Sequence, residues 1–514
     1  MYSLLAWLPW LVVSLLSLYL LDPSSPTRAA TFLQAPSLCS RPHRSLARLA
    51  RTYGPLMSLR LGAVTTVVAS SRDAAREILQ KHDAVCLVRP VRGRRRRRPR
   101  QVLGRLAPHW TPVALAAQDH VNGAFRPSPA RCAPGPPERQ GAGARGPHRS
   151  AVARWHSGGR RARGVNSRVA TSLNLLSCTI FSRDLTSLDD HGGSKEFQVA
   201  VGEIMECGAC PNVSDFFPVL AWADLQGLRR RLARLLARMH LLFDAEVDRR
   251  LRRREAGEPR KEHDDFLDVL LDVAARDVAK ADLDRDTLRA LFTAGNDLHM
   301  VTHSRSCLAI HFTDLFLAGS DSSSSVVEWA MTELLRNPTS MVKVQEELTQ
   351  VIGSTRSMKE SDIDLLPYLQ AVVKETFRLH PPGPLMLPQQ AQATVRVAGY
   401  IVPQGARVMV NLWAIGRDER IWPEPDKFMP ERFLGKTMDF RGADFELIPF
   451  DAGRRICPGL PLAIRVVHLV LATLLNEFEW RLPLEVERAG IDMGEKFGVT
   501  LTKAVSLCAI ATPI

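Results

Sequence analysis

Pro449-Phe450-Asp451-Ala452-Gly453-Arg454-Arg455-Ile456-Cys457-Pro458-Gly459 is the stretch on which the reading of this chain turns. It sets one cysteine in a glycine-punctuated loop that runs straight into an apolar segment of helical character, Leu460 to Asn476. Gly453 and Gly459 let the backbone turn closely around Cys457. The N-terminal end of a helix offers unpaired N–H groups and a positive dipole end, both of which favour a negative sulfur. Such a loop presents one thiolate to a metal. Arg455, two residues before the cysteine, adds a cation suited to an acidic group on a bound ligand. A lone cysteine is more often buried and unliganded; three landmarks upstream shift the balance here.

Glu375-Thr376-Phe377-Arg378, followed by Leu379-His380-Pro381-Pro382, is the first. Glu375 and Arg378 are three apart in an amphipathic segment from Leu369 to His380, so they share a helix face and can pair. Taken alone, such pairs are mostly solvated contacts of little worth. The second is Pro430-Glu431-Arg432-Phe433, just after the turn Ile421-Trp422-Pro423-Glu424-Pro425. The third is Leu317-Ala318-Gly319-Ser320-Asp321-Ser322-Ser323, placed at the head of a helical run from Val326 to Leu335. Residue type alone makes it a helix start capped by Asp and Ser.

The pattern F-x-x-G-x-R-x-C-x-G, with these landmarks in this order, resembles the cytochrome P-450 family. The resemblance implies a mainly α fold with a minor β-sheet, behind an N-terminal transmembrane helix. It implies haem as cofactor, with Cys457 as axial iron ligand and Phe450, Gly453 and Arg455 as its binding loop. Glu375, Arg378 and Arg432 would form a buried triad. Asp321 and Ser322 would relay protons to dioxygen. Ser322 stands where threonine is usual; it keeps the hydroxyl and loses the methyl that restricts its rotamer. Leu315, Phe316, Leu385 and Phe497 are candidate pocket walls. The implied reaction is insertion of one oxygen atom from dioxygen into a C–H bond of a small apolar substrate. Electrons would come from NADPH through a separate, membrane-bound reductase. Val326 to Met331, Pro211 to Pro218 and Lys496 to Thr502 look most like plant terpenoid hydroxylases of the geraniol 8-hydroxylase type. The alternative is a non-catalytic relic, or the product of a faulty reading of the gene, that lacks a complete haem pocket.

Nine cysteines without regular spacing argue against a disulfide framework and for a reducing compartment. Cys207-Gly208-Ala209-Cys210 has no second pair to make a zinc site. Residues 1–21 form an uncharged apolar run up to Leu21, long enough to cross a bilayer, and no basic residue precedes it as in a signal peptide. They read as an anchor, with 22–45 as linker and 46–514 as the catalytic domain. The arrangement implies a single-pass protein of the endoplasmic reticulum with a cytosolic domain.

The formal net charge of +14 suggests a nucleic-acid partner, until the charge is located. Residues 86–166 hold eighteen arginines, no lysine and two acids, Asp119 and Glu138, so this window alone exceeds the net charge of the whole chain. Only Trp110, Phe125 and Trp155 could stack on bases, which disfavours an RNA-binding arm; no nucleic-acid partner is expected. The window is rich in Arg, Pro, Gly and Ala and has no sustained period. Its composition is that of out-of-frame translation of a GC-rich gene. The family places a W-x-x-x-R helix here to bind a haem propionate, yet Ala114 and Gly159 occupy the slots after Trp110 and Trp155. Gln389 likewise stands where relatives often carry a basic partner.

A second irregularity is the echo of Phe292-Thr293-Ala294-Gly295 in Phe312-Thr313 and Ala318-Gly319. Deleting 294–313 joins two apolar runs into one helix, so this stretch reads as an insert. Elsewhere, Met57 to Val68 is strand-like, helices dominate from Leu225, and a strand-turn-strand spans Val395 to Val410. The tail from Phe497 to Ile510 reads as a hairpin.

Overall fold

The computed structural model describes residues 41–83, 193–257 and 307–514, apart from 211, 218–221, 223, 354, 355, 357 and 458. The expected anchor 1–21, residues 22–40 of the linker, the arginine-rich window 86–166 and residues 294–306 of the insert lie outside the described residues. Among the described residues helices dominate and the strands are short, a mainly α fold with a minor sheet.

Helix α1 (Pro42–Tyr53) starts on a proline, whose fixed φ and missing N–H suit a first turn. His43, Ser45 and Leu46 are buried, so 42–45 belong to the folded domain and not to the linker. Strands β1 (Leu56–Leu61) and β2 (Val64–Ala69) follow and pair antiparallel, which makes the strand-like stretch a hairpin. Gly62 turns it at φ +61°, and a Cβ there would meet the Phe216 carbonyl oxygen at 2.6 Å. Both backbone and space therefore require glycine.

Three long helices come next: α2 (Gly193–Ala209), α3 (Leu228–Glu255) and α4 (Cys307–Arg336). Helix α4 corrects the sequence reading, because Leu317 to Ser323 lies in its middle and not at its head. Ser322 Oγ donates to the Ala318 carbonyl at 2.6 Å and Ser324 Oγ to that of Ser320 at 2.5 Å. Serines that alone favour caps are thus satisfied inside the helix. Residues 307–313, the described end of the expected insert, form its first turns. Asn337 then closes α4, and Pro338 opens α5 (Pro338–Val351).

Helix α6 (Pro367–Leu379) also begins on a proline. The Glu347 carboxylate of α5 accepts from the Tyr368 and Leu369 N–H groups at 2.7 and 2.9 Å. It satisfies donors that a helix start leaves orphaned and complements the dipole. After α6 come β3 (Gln389–Gln390), β4 (Val395–Val397), β5 (Tyr400–Val402) and β6 (Arg407–Val410). β4 and β5 form a separate hairpin, while β6 pairs in parallel with β2, giving a sheet of order β1-β2-β6-β3.

Helix α7 (Leu460–Glu477) is the centre of the core, buried from Val466 to Leu475 against residues of α4, α5 and α6. Each such Leu or Val contributes roughly 1.5–3 kcal/mol. Among the described residues it is also the one helix long and apolar enough to cross a membrane, by length and composition only. Strand β7 (Phe478–Arg481) continues from it. The tail differs from the expected hairpin: β8 (Glu495–Lys496) pairs with β9 (Thr502–Lys503), Phe497 lies in the loop between them, and β10 (Ile510–Pro513) pairs with β7. A period-2 pattern shows that a strand exists and not which distant strand it joins.

Candidate active site

Cys457 sits where the loop meets α7. Its own N–H donates to the Phe450 carbonyl at 2.8 Å, which closes the loop on itself. Burial pushes the thiol up, while hydrogen bonds from the Gly459 and Leu460 backbone pull it down. These helix-start N–H groups are the donors a thiolate needs. Gly459 differs from the expected close turn: its φ is −80° and a Cβ there would stand 3.7 Å from Sγ, an ordinary contact, so neither backbone nor space requires glycine at this position. Gly453 turns the loop at φ +65°, and a Cβ there would meet the Leu79 carbonyl oxygen at 2.6 Å. Phe450 packs edge-on against Phe377 of α6, with ring centroids 5.1 Å apart, and so fixes the loop to the core. One soft sulfur ringed by backbone donors, with a half-buried cation at Arg455, fits a haem iron and one of its acidic edge groups. Burial lifts nearby Asp451 to about 6, against the pull of the Ala452 N–H and Arg455. Arg455 thus acts as a cation on one carboxyl of its own loop.

The structure brings Glu375, Arg378 and Arg432 together. Arg378 donates to Glu375 through Nε at 2.7 Å and Nη2 at 2.8 Å, and Arg432 Nε reaches the same carboxylate at 3.0 Å. The two guanidiniums also donate to carbonyls of Gly416, Pro423, Glu424, Pro425 and Lys427. Trp422 lies beneath both cations. An i,i+3 pair that is usually a solvated contact has become a buried, saturated network.

On α4, burial raises the Asp321 carboxyl, opposed by the Thr500 hydroxyl and the Lys496 charge. Leu315 and Phe316 lie in the same helix, and their side chains are outside the described residues. Leu385 and Phe497 share an apolar cluster with Leu46, Met57, Leu59 and Val68. Gln389 is buried in β3. Cys207 is buried and Cys210 exposed at the end of α2, both as free thiols.

Sequence reasoning missed two buried networks. Glu333 of α4 bonds His380 at 2.8 Å, and the His380 ring stacks on Trp329 with centroids 3.9 Å apart. Glu495 of β8 bonds His43 at 3.1 Å and Arg44 at 2.7 Å. Partners so distant in sequence leave no local pattern; the one available sign was Glu333, an acid in the apolar run from Trp329 to Leu335.

The model of the family described as Cytochrome P450 matches residues 167–508. The chain belongs to the cytochrome P450 family. Its sequence is 40% identical to a geraniol 8-hydroxylase of Swertia mussotii, over 93% of this chain and 90% of that one. It is 41% identical to a geraniol 8-hydroxylase of Catharanthus roseus, over 93% and 91%. A zebra fish cytochrome P450 solved with progesterone shares the fold at TM-score 0.67 and 22% identity, over 92% of this chain and 99% of that one. This cytochrome P450 is a haem-dependent monooxygenase that takes electrons from a reductase partner and acts on a small apolar substrate. The cofactor, when bound, supplies the activation of dioxygen.

Proposed function

We propose that this cytochrome P450 hydroxylates a small terpenoid, with Cys457 as the axial ligand of its haem iron. The observation that carries the substrate class is the 40% identity to a geraniol 8-hydroxylase along nearly the whole chain. Arg455 binds an acidic edge group of the cofactor, while Phe450 and Gly453 shape the loop. Asp321 carries protons inward and Ser322 passes them on. Leu315, Phe316, Leu385 and Phe497 line the substrate's path, and the triad of Glu375, Arg378 and Arg432 keeps the core behind Cys457 rigid. NADPH is the electron source of the reductase.

Residues 1–21 anchor the chain in the endoplasmic reticulum membrane, 22–41 link it, and 42–514 are the cytosolic domain, since His43 and Ser45 are buried in it. What supports setting 86–166 apart within that domain is its composition, together with the family match that starts at residue 167. Residues 294–313 are proposed as an insert on the echo of Phe292-Thr293 in Phe312-Thr313.

A carbon monoxide difference spectrum of the full chain tests the core of this reading. A thiolate-ligated haem band should appear, vanish in Cys457→Ser and persist in Cys207→Ser and Cys210→Ser. Its retention in Cys457→Ser would sink the assignment. Geraniol, supplied with reductase and NADPH, should yield a singly hydroxylated product. No turnover of geraniol or its acyclic relatives would remove the terpenoid reading and leave the monooxygenase intact.

A further inference from the structure

The segment after β8 is laid along one face of α4. Ser325 Oγ donates to the Leu501 carbonyl at 2.7 Å, both groups buried, and the Leu507 N–H donates to Glu328 Oε1 at 2.9 Å. Between them, Lys503 Nζ lies 4.7 Å from the centroid of the Trp329 ring. From behind, the Leu501 N–H donates to the Pro382 carbonyl at 2.8 Å, so the chain that follows α6 pins the segment in place.

Thr500 immediately precedes Leu501 and is 7% exposed. Asp321 lies one helical turn before Ser325 and therefore on the same side of α4. The Thr500 hydroxyl and the Asp321 carboxyl interact, and Lys496 of β8 acts on that carboxyl as a cation. Lys496 is itself exposed and shared with Glu206 of α2 at 3.6 Å. The segment thus meets α4 at residues 321, 325, 328 and 329, and the first of these meetings involves the acid of the proposed proton path.

We propose that Thr500 is a positioning residue, whose hydroxyl donates to the Asp321 carboxylate and holds that side chain against the 497–503 segment. The proposal rests on the reading of Asp321 as the proton-carrying acid. A long helix lets a carboxylate choose among rotamers, and a fixed donor selects one of them. The buried Ser325 to Leu501 bond sets the depth of the segment, so the donor cannot follow the acid if it turns away. A hydrogen bond to the ionised form also favours that form against the cost of burial. Thr500 would therefore set both the direction of the acid and the pH at which it takes up a proton. Lys496, solvated and paired elsewhere, supplies a weaker, salt-sensitive share.

Infrared difference spectra of the haem-loaded full chain, recorded against pH, give a readout apart from turnover. The protonated carboxyl band of Asp321 is the one that Asp321→Asn removes. Thr500→Val should move its midpoint upward by about one pH unit, and Thr500→Ser should restore it. In parallel, with purified reductase, Thr500→Val should release more peroxide per NADPH consumed, and Thr500→Ser should not. If the valine chain does not accumulate, Thr500→Ala removes the hydroxyl without a second methyl and should give the same shifts. If Asp321→Asn removes no band or leaves the peroxide ratio unchanged, the proton role of Asp321 fails and the proposal falls with it. If Asp321→Asn changes both while the valine or alanine variant changes neither, positioning by Thr500 alone is overturned.

Discussion

Glu375 is the residue whose loss should cost most. It is fully buried, and both guanidiniums that face it depend on its charge. Glu375→Gln leaves two cations uncompensated, which should cost about 3–5 kcal/mol. Purified chain should then show little thiolate-haem band and a much lower melting temperature; a wild-type melt would mean that the carbonyls alone hold the arginines. Asp451 is the opposite case. It adopts φ +68° without being glycine, and its half-buried carboxyl is raised to about 6. The folded value lies above the unfolded 3.8, so the folded chain holds the extra proton. Its contribution is full below pH 4 and is lost as pH rises through 6. Asp451→Gly should therefore stabilise the chain at pH 7 by about 1 kcal/mol, and stability should fall less between pH 4 and 6. Denaturant melts at both pH values read the difference.

Among the elements, α6 depends on its neighbour for its first turn. Glu347→Ala deprives two N–H groups of their acceptor and should cost about 1 kcal/mol, seen as a lower urea midpoint with unchanged slope. Removal without effect would show that water replaces the carboxylate. In α4 the relevant change is Ser322→Thr. Serine already bonds the Ala318 carbonyl, and threonine can make the same bond with one rotamer fewer. Peroxide released per NADPH should fall, and an unchanged ratio would speak against a relay through this hydroxyl. The centre of α4 also shows why a cap reading from residue type fails there: a run of serines turns inward to its own carbonyls when the flanking apolar turns are packed.

Across the whole molecule, the first described helix and the C-terminal hairpin are joined by one acid. Burial alone would raise Glu495, but the His43 hydrogen bond and the Arg44 and Arg417 charges bring it down to about 2. Burial lowers the His43 pKa against the pull of Glu495, and the charge of His43 acts on Glu495 together with those of Arg44 and Arg417. The folded value is depressed from 4.5, so the stability is present above that pH and is lost as pH falls toward 2. Hydrogen exchange should show α1 losing protection in this window before α6 and α7 do. In Glu495→Gln, α1 should be weakly protected already at pH 6; equal protection there would refute the tie.

Local chemistry settled much of this protein. The glycine turn before Cys457 and the period of α6 and α7 are each fixed by a few neighbouring residues, and the sequence was sufficient to find them. The same holds for the family, because F-x-x-G-x-R-x-C-x-G records backbone and ligand demands within one loop. Tertiary structure decided the rest. Only packing could turn Glu375, Arg378 and Arg432 from three charges into one saturated network, pair β2 with β6 across the chain, and set Thr500 against Asp321. These are contacts between segments far apart in sequence, and their energies come from burial and shared partners that no local pattern encodes.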